Sequence, residues 1–96
     1  MAVFALTMVH GPSWDTALPI REQQAWDEHA AYMDGLVDEG YVILGGPIGH
    51  GEEVLVIVEA TDEDEIAARH DLDPWAPMGL LEIGEIRPWT IWLDGR

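Results

Sequence analysis

Residues 41–60, YVILGGPIGHGEEVLVIVEA, constrain the fold more than any other stretch of the chain. Two apolar runs, Tyr41–Leu44 and Val54–Val58, flank a connection punctuated by Gly45, Gly46, Pro47, Gly49 and Gly51. β-Branched residues dominate both runs and pack well on a pleated surface. The glycines and the proline between them turn the chain back. The stretch therefore reads as an antiparallel hairpin at the centre of a small sheet. Val54–Val58 carries no polar residue on either face, so the strand must be covered on both sides. One layer of helices covers only one of them.

The elements around the hairpin can be read in order. Ala2–His10 is a strand, with Phe4, Leu6, Met8 and His10 on one face and Val3, Ala5, Thr7 and Val9 on the other. Gly11, Pro12 and Ser13 break it, and Trp14–Leu18 is a loop. Pro19 suits the first turn of a helix, where its missing N–H costs nothing, and the helical pattern runs from there to Glu39. Trp26, His29, Ala30, Met33, Leu36 and Val37 form its apolar stripe at steps of 3 and 4. Gly35 weakens this helix by about 1 kcal/mol relative to alanine, for no reason visible in the sequence. Gly40 stops it. After the hairpin, Thr61 is the expected N-cap of a short helix from Asp62 to Asp71, with acids in the first turn. Asp73-Pro74-Trp75-Ala76-Pro77 then forces a turn. Leu80–Leu93 is long enough for a last strand, bulged or at an edge where Pro88 cannot donate.

The order strand, helix, strand, strand, helix, strand gives an α+β, ferredoxin-like βαββαβ antiparallel sheet with both helices on one face. At 96 residues the chain is one domain, 1–96. Such a domain buries only roughly 60–65% of its unfolded surface. The bare apolar face therefore predicts a homodimer with sheets packed face to face, a dimeric α+β barrel. The alternative is a monomer whose C-terminal segment folds over that face.

Charge narrows the partners. Four arginines stand against 19 acids, a net charge of −15, and lysine is absent. Such a field repels nucleic acid phosphates and anionic lipid, so neither is a partner. Without lysine there is no Schiff base and no Walker-type phosphate loop. The acidity reads as adaptation to a salty cytoplasm or as ordinary solubility. No apolar run approaches the ~18 residues of a membrane span. The start, MAVFALTMVHGPSW, reads as a strand and not as a signal peptide. The absence of cysteine removes disulfides and thiol chemistry and fits a cytoplasmic location. His10, His29, His50 and His70 fall on four different elements without metal-ligand spacing, so no metal site and no cofactor is expected.

His29 followed by LVDEGYVILGGPIG, then VLVIVEA, a short acid-capped helix and the ending DLDPWAPMGLLEIGEIRPWTIWL, resembles the YCII-related proteins of the dimeric α+β barrel superfamily. The most specific part is the ending, and the resemblance spans about Val3 to Leu93. It implies a pocket between sheet and helices, where a histidine of the first helix and an aspartate of the DP turn meet as a dyad. Those positions are His29 and Asp73. One branch of the family acts as a dehydrochlorinase on a chlorinated hydroxyhydroquinone, and related barrels include isomerases and cofactor-free monooxygenases.

Each candidate keeps a plain alternative. His29, beside Trp26 and Met33, is either a proton-transfer base or a core histidine satisfied by a backbone carbonyl. Asp73 either fixes the imidazole tautomer or simply starts a turn. Gly46 and Pro47 are a pocket wall or a turn, and Trp75 stacks on a flat ligand ring or packs. His70 reads as structural. Two functions follow. The first is a small cofactor-independent enzyme in which His29, oriented by Asp73, takes a proton from a small cyclic or aromatic substrate, lined by Phe4 or Leu6, Trp26, Met33 and Trp75. The second is a non-catalytic ligand-binding or accessory dimeric module.

Overall fold

Strand β1 (Ala2–His10) organises the sheet, because both of its edges are occupied. A computed structural model describes the whole chain, residues 1–96. Strand β3 (Glu53–Ala60) pairs with β1 on one side, β4 (Leu81–Pro88) on the other, and β2 (Val42–Ile48) pairs with β3. The order is β2-β3-β1-β4 with every pair antiparallel. This is the ferredoxin-like α+β arrangement of the dimeric α+β barrels. Helix α1 (Trp26–Asp38) joins β1 to β2, and α2 (Glu63–Asp71) with the one-turn α3 (Trp75–Met78) joins β3 to β4.

The side-chain alternation of the strands divides the sheet. Phe4, Leu6 and Met8 of β1 and Val56, Val58 and Ala60 of β3 are buried in one core with Leu36 of α1, Ile66 of α2 and Trp75 of α3. At about 25 cal/mol per Å² of apolar surface, this layer supplies most of the drive to fold.

The first helix starts later than the pattern predicts. A single 3₁₀ turn at Ile20–Glu22 follows Pro19, and α1 begins only at Trp26, after Ala25 in a left-handed conformation (φ 59°). Gln23 holds this entry. Its side-chain amide donates to the carbonyls of Asp15 and Leu18, and its Oε1 accepts from the Asp15 N–H. Val37, expected on the buried stripe, is half exposed. In α2 the cap is Asp62 and not Thr61. The Glu65 N–H donates to Asp62 Oδ1 (2.9 Å) while Glu65 Oε1 accepts from the Thr61 N–H (2.7 Å), a reciprocal pair that satisfies two otherwise free donors.

The last strand ends at Pro88, not Leu93, although the Trp89 N–H still reaches the Val3 carbonyl at 2.9 Å. Strand β4 lies at the sheet edge, as Pro88 requires, but its register shift falls at Gly84. There the Glu85 N–H donates to Thr7 Oγ1, and a β-carbon on Gly84 would stand 2.9 Å from that oxygen. From Trp89 onward the tail crosses the second face of the sheet. Pro88 and Trp89 lie with Ala5, Leu55 and Ile57, and Ile91 and Leu93 with Ile43 and Leu44. Ile57 points away from the helices, yet only 4% of it is exposed. The tail therefore shelters part of this face. Leu44, Ile48, Trp92 and Leu93 remain exposed.

Candidate functional site

The site grows from two turns. His29 stands in the first turn of α1, its N–H bonded to the Ala25 carbonyl at 3.1 Å, so the left-handed entry at Ala25 sets where the imidazole points. Asp73 stands between α2 and α3. Its carboxylate Oδ1 accepts from the Trp75 N–H at 2.9 Å, an Asx turn that proline at position 74 favours. These two turns bring the side chains together. Nδ1 of His29 lies 2.8 Å from Oδ2 and 3.0 Å from Oδ1 of Asp73. Both residues are buried, with His29 at 7% and Asp73 at 4% exposure. A buried charge is costly unless paired and bonded, and this carboxylate has three such contacts.

The pairing settles the tautomer. A carboxylate only accepts, so Nδ1 carries the proton and Nε2 of a neutral imidazole keeps its lone pair. No protein atom bonds Nε2, and no unpartnered polar side-chain atom in the structure is shut off from solvent. Nε2 therefore opens onto the cavity that His29 lines. Aromatic rings fix the imidazole plane. Trp75 stacks on it with centroids 3.9 Å apart and planes 5° from parallel, and Trp26 leans on it at 5.7 Å. The Trp75 indole N–H is tied to the Gln24 carbonyl at 2.6 Å.

The cavity has a volume of about 250 Å³ and lies between α1 and the β2–β3 hairpin. Trp26, Met33, Gly46 and Pro47 line it with His29 and Asp73. Trp75 does not line it. It is fully enclosed, and its ring face is spent on His29 rather than on a ligand. Phe4 and Leu6 likewise belong to the core, and Met8 takes their place at the wall.

His70, which the sequence reads as structural, also lines the cavity. It stands in the last turn of α2, and the Asp73 N–H in the turn that follows bonds its carbonyl at 3.2 Å. Its Nε2 meets the Tyr41 hydroxyl at 3.1 Å. Burial pushes its pKa below the ordinary value, against the opposing pull of Asp73 and Asp71. Burial also pushes the Tyr41 phenol well above its usual range, although the Arg69 guanidinium lies 4.6 Å over the ring. No three His, Asp or Glu side chains converge as a set able to hold a metal ion.

A four-stranded antiparallel sheet of ferredoxin-like topology, with its helices on one face, places the chain among small α+β domains. Within that class, the chain belongs to the YCII-related family, whose domain matches residues 5–90. A similar solved structure is that of 5-chloro-2-hydroxyhydroquinone dehydrochlorinase from Burkholderia phenoliruptrix AC1100, in complex with 2,5-dihydroxybenzoquinone. The likeness covers 92% of this chain and 93% of that one, with 24% sequence identity and a TM-score of 0.67. At that identity it speaks for the fold. No curated protein matches the chain by sequence.

Proposed function

We propose that this protein is a small acid–base enzyme in which His29, oriented by Asp73, takes a proton from a small cyclic or aromatic substrate and so promotes elimination or isomerisation. The observation that carries the reading is the hydrogen bonding of His29. Nδ1 is held by the carboxylate at 2.8 Å while Nε2 is left free at an apolar cavity. The free nitrogen is the base, and the carboxylate stabilises the imidazolium that forms. The electron pair released from the C–H bond then either expels a leaving group or shifts a double bond. This step draws on no group beyond these side chains. The cavity has room for one small ring, its volume lying just below the usual range of ligand sites. The dehydrochlorinase that shares the fold supports the reading, since loss of HCl from a ring is an elimination. We further read the protein as a cytoplasmic homodimer joined through its sheet faces, with a small molecule and neither nucleic acid nor membrane as its other partner.

The test is turnover of chlorinated hydroquinones, catechols and lactones by the protein and its Asp73→Asn and His29→Ala variants. In Asp73→Asn the amide can donate to Nδ1, which moves the proton to Nε2 and removes the base. The expected loss is on the order of 10²–10⁴-fold, with the melting temperature nearly kept in Asp73→Asn, whose amide still bonds Nδ1. His29→Ala should be at least as severe in turnover and also less stable, because it strips the buried Asp73 carboxylate of its partner. Unchanged turnover in either variant would sink the proposal. The second reading, a non-catalytic binding module, is favoured by the near-complete enclosure of His29. Ligand binding without turnover of any substrate would support it.

A further inference from the structure

His70 lies between two cavities. One is the 250 Å³ cavity of His29, and the other, of about 210 Å³, is lined by Asp71 and Glu82; Met8, His70, Asp73 and Leu81 border both. The protonation of His70 follows from its partner. The buried Tyr41 hydroxyl has Nε2 of His70 as its one acceptor. A buried hydroxyl keeps its proton paired only by donating it, so Nε2 accepts and the neutral ring carries its proton on Nδ1. No protein atom accepts from Nδ1, and no unpartnered polar atom is shut off from solvent. An N–H donor without a protein acceptor is thus carried by a residue that lines the same cavity as His29 and Asp73.

We propose that His70 is a second ligand-contacting residue of this cavity, donating its Nδ1–H to a ring oxygen next to the carbon that loses a proton to His29. The inference rests on the acid–base reading above and names its substrate class: a small cyclic ketone, enone or quinone-like ring with an acidic hydrogen on the carbon beside the carbonyl. The proton passes from that carbon to Nε2 of His29. The C–H electron pair becomes the C=C bond of an enolate, and the carbonyl oxygen takes the negative charge, where it accepts the Nδ1–H of His70. A neutral imidazole does this without giving up its proton. The groups that bear on its charge state are Tyr41 from β2's approach, Asp71 and Asp73 around the end of α2, and His29 from α1.

Two substitutions separate a contact to ligand from a contact to Tyr41. An asparagine amide overlays Nδ1 of histidine, whereas a glutamine amide overlays Nε2. With 2,5-dihydroxybenzoquinone as the probe, His70→Asn is expected to bind within about threefold of the parent protein. His70→Gln is expected to bind about 10- to 100-fold more weakly while keeping its melting temperature. A histidine held only for its bond to Tyr41 gives the reverse order and overturns the inference. So does nitrogen NMR of the free protein that finds Nδ1 of His70 unprotonated, or a parent protein that fails to bind the probe at millimolar concentration. If His70→Gln binds normally while His29→Ala abolishes turnover, the inference falls and the acid–base reading stands. If the tautomer and the binding order hold but no carbon acid is turned over, the acid–base reading falls and the contact stands.

Discussion

The indole of Trp75 lies flat on the imidazole of His29, with planes 5° from parallel, while the backbone N–H of the same residue holds the carboxylate that grips that imidazole. One buried residue thus positions both members of the pair, and its indole N–H anchors the assembly to the Gln24 carbonyl ahead of α1. Trp75→Phe keeps the backbone bond to Asp73 but loses the indole anchor and part of the stack. It should cost about 2–3 kcal/mol of stability, read by denaturant unfolding. It should also lower turnover at least tenfold, with little change in KM, because the base loses its fixed plane. Unchanged turnover at reduced stability would make Trp75 a core residue alone.

Much of this was legible in the sequence because period and turn chemistry agreed. The alternation in Ala2–His10 and the 3–4 stripe from Trp26 to Leu36 each placed a face correctly. What was not legible depended on contacts distant in sequence. Nothing in the helical pattern marks Ala25 as left-handed. That entry exists because Gln23 turns inward to bond Asp15 and Leu18, a polar side chain buried for the sake of a loop. The enclosure of Trp75 was equally hidden, since an aromatic after a DP turn looks the same whether it meets a ligand or a histidine. The meeting of His29 and Asp73, 44 residues apart, came from the family resemblance, and spacing alone would not have given it.

Gly35 has no structural reason to be glycine. A methyl group there would meet nothing within 4 Å, and its backbone is ordinary right-handed helix. Gly35→Ala should therefore stabilise the protein by roughly 0.5–1 kcal/mol, seen as a higher melting temperature with turnover unchanged. Destabilisation would show that this spot on α1 is covered in the working protein by something outside the single chain.

The buried state of His70 makes stability depend on pH. Its folded pKa lies below its ordinary value of 6.5, chiefly through burial, so the unfolded chain binds a proton more readily than the folded one. Its neutral form is fully stabilising above about pH 6.5, and that contribution falls as pH drops from there toward the folded pKa, below which it levels off. His70→Gln removes the titration. The difference in unfolding free energy between parent and variant should be flat above about pH 7 and shift in the variant's favour as pH falls from about 6.5. A difference independent of pH from 7 to 5 would mean that His70 is no more buried in solution than in the unfolded chain.

The open face of the sheet gives the clearest test of assembly. Leu44 is 54% exposed in the single chain, and Trp92 is 88% exposed at the end of a tail that covers only part of that face. If the chain works alone, Leu44→Glu exchanges one exposed side chain for another and should change stability by no more than about 0.5 kcal/mol. If two sheets pack face to face, the same substitution places a charge in an apolar interface of the order of 1,600 Å². It should then convert two-chain particles to single chains in sizing at micromolar concentration and lower the melting temperature by many degrees. The parent protein should run as two chains, and Trp92→Ser should weaken the pair without unfolding the domain. A parent protein that stays single at that concentration, with an innocuous Leu44→Glu, would leave the tail as the only cover this face has.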